Sequence, residues 1–469
     1  MKKLGILKTY SSNEIDKSYV SIGFETLDRD LIRPEKCYDL LSKTGVKYAR
    51  CQTGWAKCEK EKGVYDFAWL DEVVDNLHAR GIVPWFNVGY GNPIYMHDAP
   101  SANATCVGCV PIYYGEEVLD AWRNYIEALT QHFKDRITYF EIWNEPDLLC
   151  FWYPKNPSGA DYAKFASLTA EVIKANFPDA KVGICVSTPY CFDFIEDALS
   201  SLTVKELAFF AFHAYSGVPE YRYPEVIAHI RASLDKHGFD KTELWQSEAG
   251  FPSWAPEGHG LFREGCDGER AQAVFQLRRY FLDVYYGVKL SSFFQIADMW
   301  EKTYAIANEV MQRPAAHGIL NGITYTPKQS YKTITSIGTI FGGEVNPTRE
   351  YMQVDIPTGN ILEVLSARAF SFNKNGYPMY AYYLALDVAS KREDIRSAEL
   401  YITKEIKNPV LIDPYTHEVF ELDVPQKTDW RSYVAGYNTG LFRYSGLPLK
   451  IYPLIITDKD AFKIEADGD

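Results

Sequence analysis

Short runs of β-branched and aromatic residues recur along the first three-quarters of the chain, each followed by a stretch whose apolar residues return every three to four positions. Eight such runs stand at about 19–25, 47–53, 82–88, 137–143, 181–186, 207–213, 242–248 and 290–296. The intervening stretches predict helices. From Phe67 to Arg80, Leu70, Val73, Val74 and Leu77 share one face, and Gly81 supplies a C-terminal stop. Glu116 to His132 keeps the same period through Leu119, Trp122, Ile126 and Leu129, and Glu269 to Tyr286 behaves likewise. Strand and helix alternating eight times predicts an α/β fold, a (β/α)8 TIM barrel over 16–343. Beyond Gly343 the helical period disappears. Strand-like segments with turn punctuation replace it, as in AYYLALDV, AELYIT, PVLIDPYTHEVFEL and LPLKIYPLIITD. A C-terminal antiparallel β-sandwich over 344–469 is expected, with residues 1–15 as a candidate addition to it.

Composition narrows the partners. The net charge is −13 without any basic run, which sets nucleic acid aside. Nine cysteines at uneven spacing do not make the disulfide framework of a small secreted domain. The N-terminus lacks the apolar stretch of a signal peptide and no long apolar run follows. The expectation is a cytoplasmic protein without membrane association, or a secreted or periplasmic one if a signal has been removed. A homo-oligomer is left open. The 10 Trp and 34 Tyr, many in Gly/Pro-rich segments, suit flat surfaces on which sugar rings stack.

The chemistry concentrates at two strand ends. ITYFEIWNEPDLLCFW is an apolar strand ending in Trp143-Asn144-Glu145-Pro146, and Glu243-Leu244-Trp245-Gln246-Ser247-Glu248-Ala249-Gly250 is a second that ends in a glutamate. In a barrel the C-terminal strand ends form the floor of the active site. Strands four and seven lie on opposite walls, so Glu145 and Glu248 can approach across the mouth, and a gap of about 5–5.5 Å suits double-displacement glycoside hydrolysis. Glu141 shares the strand parity of Glu145 lower in the barrel, where pairing with Arg50 or another buried cation is expected. Cys106 and Cys109 form a lone C-x-x-C; with no second pair to complete four ligands, a redox pair or free thiols are expected, and no metal or cofactor.

With both glutamates in place the sequence resembles the clan A glycoside hydrolases, whose pattern is Asn-Glu-Pro at the end of strand four and a second Glu at the end of strand seven. Arg50, the segment YDFAWLDEVVDNLHARGIVPWFNVGYGNP from Tyr65 and His213-Ala214-Tyr215 look like family 39 (β-xylosidase/α-L-iduronidase-like) in particular, or a neighbouring family. Strand one, GFETLDRD, and the QSEAGFPSW around Glu248 depart from that pattern. The resemblance implies a carbohydrate substrate, with Glu145 as general acid/base, Glu248 as nucleophile and Asn144 as donor to the sugar 2-hydroxyl. Arg50 and the Tyr215 hydroxyl are the groups that would keep Glu248 ionised. His213 either contacts sugar or orients Tyr215. Trp300 matches the place of a platform under the sugar, or packs beside Met299. Glu25 either binds a substrate hydroxyl or amine or forms a surface ion pair. Trp55, Trp85, Trp152 and Trp254 lie near strand ends, some as wall and some as core, with Trp55 a candidate substrate contact. The function expected is an exo-acting β-glycosidase on a small glycoside or oligosaccharide, helped by long insertions at 89–116 and 146–160. An endo-glycanase with the same catalytic pair, or a catalytically silent carbohydrate-binding protein, is the alternative.

Overall fold

A computed structural model of the chain describes residues 1–100, 105–255, 267–299, 304–306, 309–311, 315–390, 396–431 and 438–466. Eight parallel strands close into a barrel: Val20–Gly23, Tyr48–Gln52, Val83–Val88, Tyr139–Ile142, Lys181–Val186, Phe209–His213, Glu243–Ala249 and Val288–Phe293. Strand one pairs back onto strand eight through Val20 with Ser291 and Ile22 with Phe293. The last strand begins and ends two to three residues earlier than the apolar run at 290–296 suggests.

The helices follow the predicted faces. Ala68–Ala79 buries Leu70, Val73, Val74 and Leu77, and Gly81 ends it with a φ of +71°, which a side chain would strain. Glu116–Phe133 buries Leu119, Trp122, Ile126 and Leu129. Gly268–Tyr285 starts at Asp267, whose side chain accepts from the Arg270 amide.

Two antiparallel sheets follow the barrel. The larger has eight strands in the order Val345–Pro347, Ala367–Lys374, Tyr377–Leu384, Leu454–Asp458, Pro409–Ile412, Glu418–Glu421, Lys2–Leu7 and Ile464–Glu465, so the N-terminal strand is seated between two C-terminal ones. The smaller is Met352–Asp355, Arg396–Ile402, Asn438–Leu449 and Gln426–Arg431. The loss of helical period after Gly343 is not complete. Ile361–Ser366 forms a short helix, started by a capping box between Asn360 and Glu363 that outweighs its β-branched content. Among the described residues no helix is long and apolar enough to cross a membrane.

Inside the barrel an apolar plug fills the lower half. Trp85, Cys185, Phe209, Ala211, Trp245 and Leu290 form it, with Phe209 stacked on Trp245 at 4.0 Å between ring centroids and Trp85 edge-on to Trp245 at 5.3 Å. Gly183 on strand five makes room for this stack, since a Cβ there would sit 2.3 Å from the Phe209 ring. The plug shuts the barrel from below, leaving one mouth for polar side chains. Gly183→Ala is therefore expected to destabilise the fold by about 1–3 kcal/mol. Phe209→Leu in the same chain should recover part of that loss, which urea unfolding of the single and double variants checks; strictly additive losses would show that Phe209 is not the obstacle.

Candidate active site

Above the plug the inward side chains turn polar around one cation. Arg50, on strand two, is fully buried, with its guanidinium 5.8 Å from the Trp85 ring centroid. Its Nη1 donates to Glu25 Oε2 and Glu248 Oε2, each at 2.9 Å. Nη2 donates to Glu141 Oε1 at 2.5 Å and to Asn144 Oδ1 at 2.9 Å. These partners stand on or just past strands one, four and seven. Burial alone would lower the Arg50 pKa, but Glu141, Glu25 and Glu248 outweigh it and hold the group charged.

The carboxylates around Arg50 are not equivalent. Glu145 and Glu248 keep 12% and 11% of their side-chain surface open, whereas Glu141 is sealed and Glu25 is open by 1%. Only the first two can meet a substrate without rearrangement. Glu248 accepts from Arg50 on one oxygen and from the Tyr215 hydroxyl on the other, at 2.7 Å. The Tyr215 ring is 42% exposed, on the wall of the opening, and desolvation together with the Glu248 charge pushes its phenol well above the usual range.

Glu145 has a different environment. Its Oε1 lies 2.7 Å from His213 Nδ1. Burial, then the negative charge of Asp147, push its carboxyl up to about 8 against the attraction of Arg50. Asp147 is fixed two residues on by the Ser187 amide and hydroxyl, at 2.6 and 2.5 Å. Burial lowers the His213 pKa, so the imidazole is neutral near pH 7 and can donate to an ionised Glu145 or accept from a protonated one. Glu25 is likewise raised to about 8, by burial first and by Glu248 among its neighbours.

The backbone that presents Glu145 is strained. Trp143 and Glu145 have φ of +66° and +48°, in the left-handed region. Trp143 is held there by its amide on Val88 O at 3.0 Å, by its indole N–H on Phe151 O at 2.7 Å, and by Asn87, whose amide donates to Trp143 O at 2.5 Å. Asn144 spends its carbonyl oxygen on Arg50. That orientation leaves its NH2 as a donor for the mouth.

The structure thus gathers Glu145, Glu248, Asn144, Arg50, His213, Tyr215 and Glu25 in one cluster, and three of the sequence readings change. Glu25 is no surface ion pair: it stands two residues past the end of strand one and is buried against Arg50. His213 orients Glu145 rather than Tyr215. Trp55 is fully buried, its ring packed against Tyr95, Trp122 and Tyr125 and its N–H given to Glu59, so no face is left for sugar. Trp85 and Trp152 are core too, and Trp254 is 44% exposed. Trp300 lies outside the described residues.

Sequence reasoning passed over Asp147, although it stands in the same motif as Glu145, and Phe294, a half-buried ring just past strand eight. Phe294 lies 5.8 Å from the His317 ring, which meets Tyr215 edge-on at 6.1 Å. His317 follows no strand and carries no periodic signal. Cys106 and Cys109 are buried, with their thiols hydrogen-bonded to each other. An oxygen of Glu145, a nitrogen of His213 and an oxygen of Glu248 lie within 4.8 Å of one another, near enough to share a cation. Arg50 already supplies positive charge to Glu248 there, so an added ion would compete with it.

Comparison with known proteins bears on the family and the fold. Residues 33–241 match the family described as glycosyl hydrolases family 39. A β-xylosidase of Geobacillus stearothermophilus is 30% identical over 135 residues, which cover 26% of this chain; the chain thus spans about a quarter (24%) of the length of that relative. Among solved structures, a family 39 glycoside hydrolase from the gut symbiont Bacteroides cellulosilyticus aligns with a TM-score of 0.63 at 15% identity, over 94% of this chain and 81% of the other. A family 39 β-xylosidase from Caulobacter crescentus aligns at 0.56 and 16%, over 97% of both. These structures share the barrel with its β-sandwich. The resemblance to family 39 of clan A is borne out.

A carboxyl raised from 4.5 to about 8 on folding holds its proton more tightly in the native state than in the unfolded one. Native stability therefore falls as pH climbs through that interval. Glu145→Gln removes the titration and keeps an acceptor for His213. The melting temperature of the variant relative to the parent should rise steadily from about pH 5 to about pH 8. A difference that stays constant over that range would show that Glu145 titrates at an ordinary value.

Proposed function

We propose that the chain is a retaining β-glycosidase that works by double displacement, taking family 39 as the premise. The observation that carries this reading is a pair of glutamates with an oxygen of each within 4.8 Å of the other, in opposed environments. An inverting enzyme needs its two carboxyl groups about 6.5–9.5 Å apart, with a water between them. The shorter gap favours direct attack by one carboxylate.

Glu145, with its carboxyl near 8, is the proton donor: it protonates the glycosidic oxygen as the bond to the anomeric carbon breaks. Glu248, held by Arg50 and Tyr215, attacks that carbon and forms a glycosyl ester. Glu145, now ionised, takes a proton from water, which attacks the same carbon and releases Glu248. Neutral His213 keeps the Glu145 carboxyl in place through both transfers. The Asn144 NH2 donates to the sugar 2-hydroxyl, a contact that strengthens as positive charge develops on the ring. Glu25 and Arg50 act from beneath, keeping the charge balance of the site without touching sugar.

Exo action is supported by the two insertions at the mouth. The loops after strands three and four pair through the Val110 amide on Tyr153 O at 3.0 Å and the Tyr153 amide on Gly108 O at 2.9 Å. Trp152 N–H donates to the Tyr113 hydroxyl at 2.9 Å. Such a joined wall narrows an open cleft toward a pocket for a chain end. Given the name of the curated relative, aryl β-xylosides are the first substrates to test.

Glu145→Gln should slow release of poor leaving groups by a factor of about 10²–10⁴ while sparing activated phenols in the first step. Added azide should restore turnover of the activated substrates by attacking the glycosyl ester. Equal losses for every leaving group, without rescue, would count against Glu145 as the acid. Stereochemistry tests Glu248: proton NMR of a β-glycoside digest should show the β-sugar first, and a 2-fluoro glycoside should label Glu248. An α-anomer first, or a label elsewhere, overturns the nucleophile assignment.

A further inference from the structure

Among the described residues, Tyr215 is the one donor to Glu248 that stands on a loop, two residues past the end of strand six. The rest of that loop is pinned from outside the barrel sheet. Gly217 O accepts from the Val388 amide at 3.1 Å, and Pro219 O accepts from Arg279 at 3.3 Å. Glu220 is buried, and Arg278 grips it with Nε on Oε1 at 2.8 Å and Nη2 on Oε2. The hydroxyl of Tyr383 donates to the same Glu220 Oε1 at 2.7 Å. Arg278 uses its remaining Nη1 on Leu386 O, closing the link between the helix Gly268–Tyr285 and the sheet. Burial alone would raise the Glu220 carboxyl, yet Arg278 and Tyr383 hold it below the ordinary range.

A buried ion pair is a poor source of stability compared with packed apolar residues, because desolvation cancels much of the attraction. Its directional hydrogen bonds, however, fix geometry closely. Here the atoms it fixes belong to three places: the loop that carries Tyr215, the barrel helix behind it, and the C-terminal sheet. We propose that the C-terminal sheet positions Tyr215 against Glu248 through Tyr383 and the Glu220–Arg278 pair. This rests on the reading of Glu248 as nucleophile. Tyr383, Glu220 and Arg278 are then positioning residues for the reaction, and the sheet is part of the catalytic apparatus without touching substrate.

Two adjacent tyrosines make the test. Tyr382 and Tyr383 are both fully buried in one strand and point to opposite faces, and the Tyr382 hydroxyl donates to Pro448 O at 2.9 Å, within the C-terminal sheets. Tyr382→Phe and Tyr383→Phe each delete one buried hydroxyl, so both should lower the melting temperature, the second by more because its acceptor is a carboxylate. Only Tyr383→Phe should reduce kcat on an aryl β-glycoside, by about fivefold to tenfold with KM within about twofold, as a small misplacement of a catalytic group does. In a Tyr215→Phe background the Tyr383→Phe change should have no further effect on kcat. Equal losses in the two single variants, or an additive loss beside Tyr215→Phe, overturns the proposal. Crystal structures read the same point without turnover: the Tyr215–Glu248 distance of 2.7 Å should lengthen in Tyr383→Phe and stay unchanged in Tyr382→Phe. An unchanged distance in both refutes the positioning role. A parent protein that hydrolyses no aryl glycoside would instead refute the proposed function, and the structures would still decide the strut.

Discussion

A guanidinium with no path to water must find its counter-charges inside the barrel, and Arg50 finds them on strands that sequence places far apart. Moving such an ion out of water costs several kcal/mol even after relaxation, so its donors need acceptors of good geometry, and among the described residues only Nε is left without one. Four of its N–H groups are met by Glu25, Glu141, Asn144 and Glu248, which stand 25, 91, 94 and 198 residues away along the chain. One group therefore fixes the spacing of the ends of strands one, four and seven at once. Removing Arg50 would leave these carboxylates without their cation. The penalty for breaking a buried pair is about 3–5 kcal/mol. The plug of Trp85, Phe209 and Trp245 beneath it closes the other exit.

The same arrangement divides the carboxylates into kinds. A single cation cannot neutralise Glu25, Glu141 and Glu248 together, and the proton that Glu25 retains to about pH 8 relieves the excess. Glu145 is left outside the grip of Arg50, beside a neutral imidazole and near the negative Asp147, and its proton is also kept to about pH 8. Of the two open carboxyls in one mouth, Glu145 is raised by burial first and by Asp147 second, while Glu248 is the one that touches the guanidinium. That contrast is a matter of burial and of the neighbours each carboxyl meets at its strand end.

How much of this was legible in the sequence follows from how far each signal reaches. The barrel strands were found because a buried parallel strand is a continuous apolar run, and the helices because one face must be apolar. Glu145 and Glu248 were found because each interrupts such a run at its end. Glu25 also follows closely on a strand, but its neighbours Thr26 to Asp30 read as a polar loop, and only the pairing to Arg50 shows that it faces inward. Trp55 shows the converse failure. Position near a strand end does not say which way a ring points, and the partners that bury it, Trp122 and Tyr125, come from a helix 67 and 70 residues later whose packing has no local signature. The link from Tyr383 to Glu220 spans 163 residues and joins the C-terminal sheet to a barrel loop, which no periodicity can encode.

Strain at the strand-four turn ties these pieces together. Left-handed backbone at a non-glycine residue costs roughly 1–2 kcal/mol, and two residues of Trp143-Asn144-Glu145 adopt it. Such a turn persists only where its surroundings allow no alternative. Here the Trp143 ring lies among Tyr90, Trp122, Trp152 and Phe165, and its N–H is bound to Phe151 O. Phe151 and Trp152 belong to the insertion that follows Glu145 itself. The chain therefore folds back on the turn it has just made, and the loop that follows Glu145 is also the clamp that holds that turn. Shortening that insertion would release the turn as well, so in this fold the length of the loop and the placement of Glu145 are not independent variables.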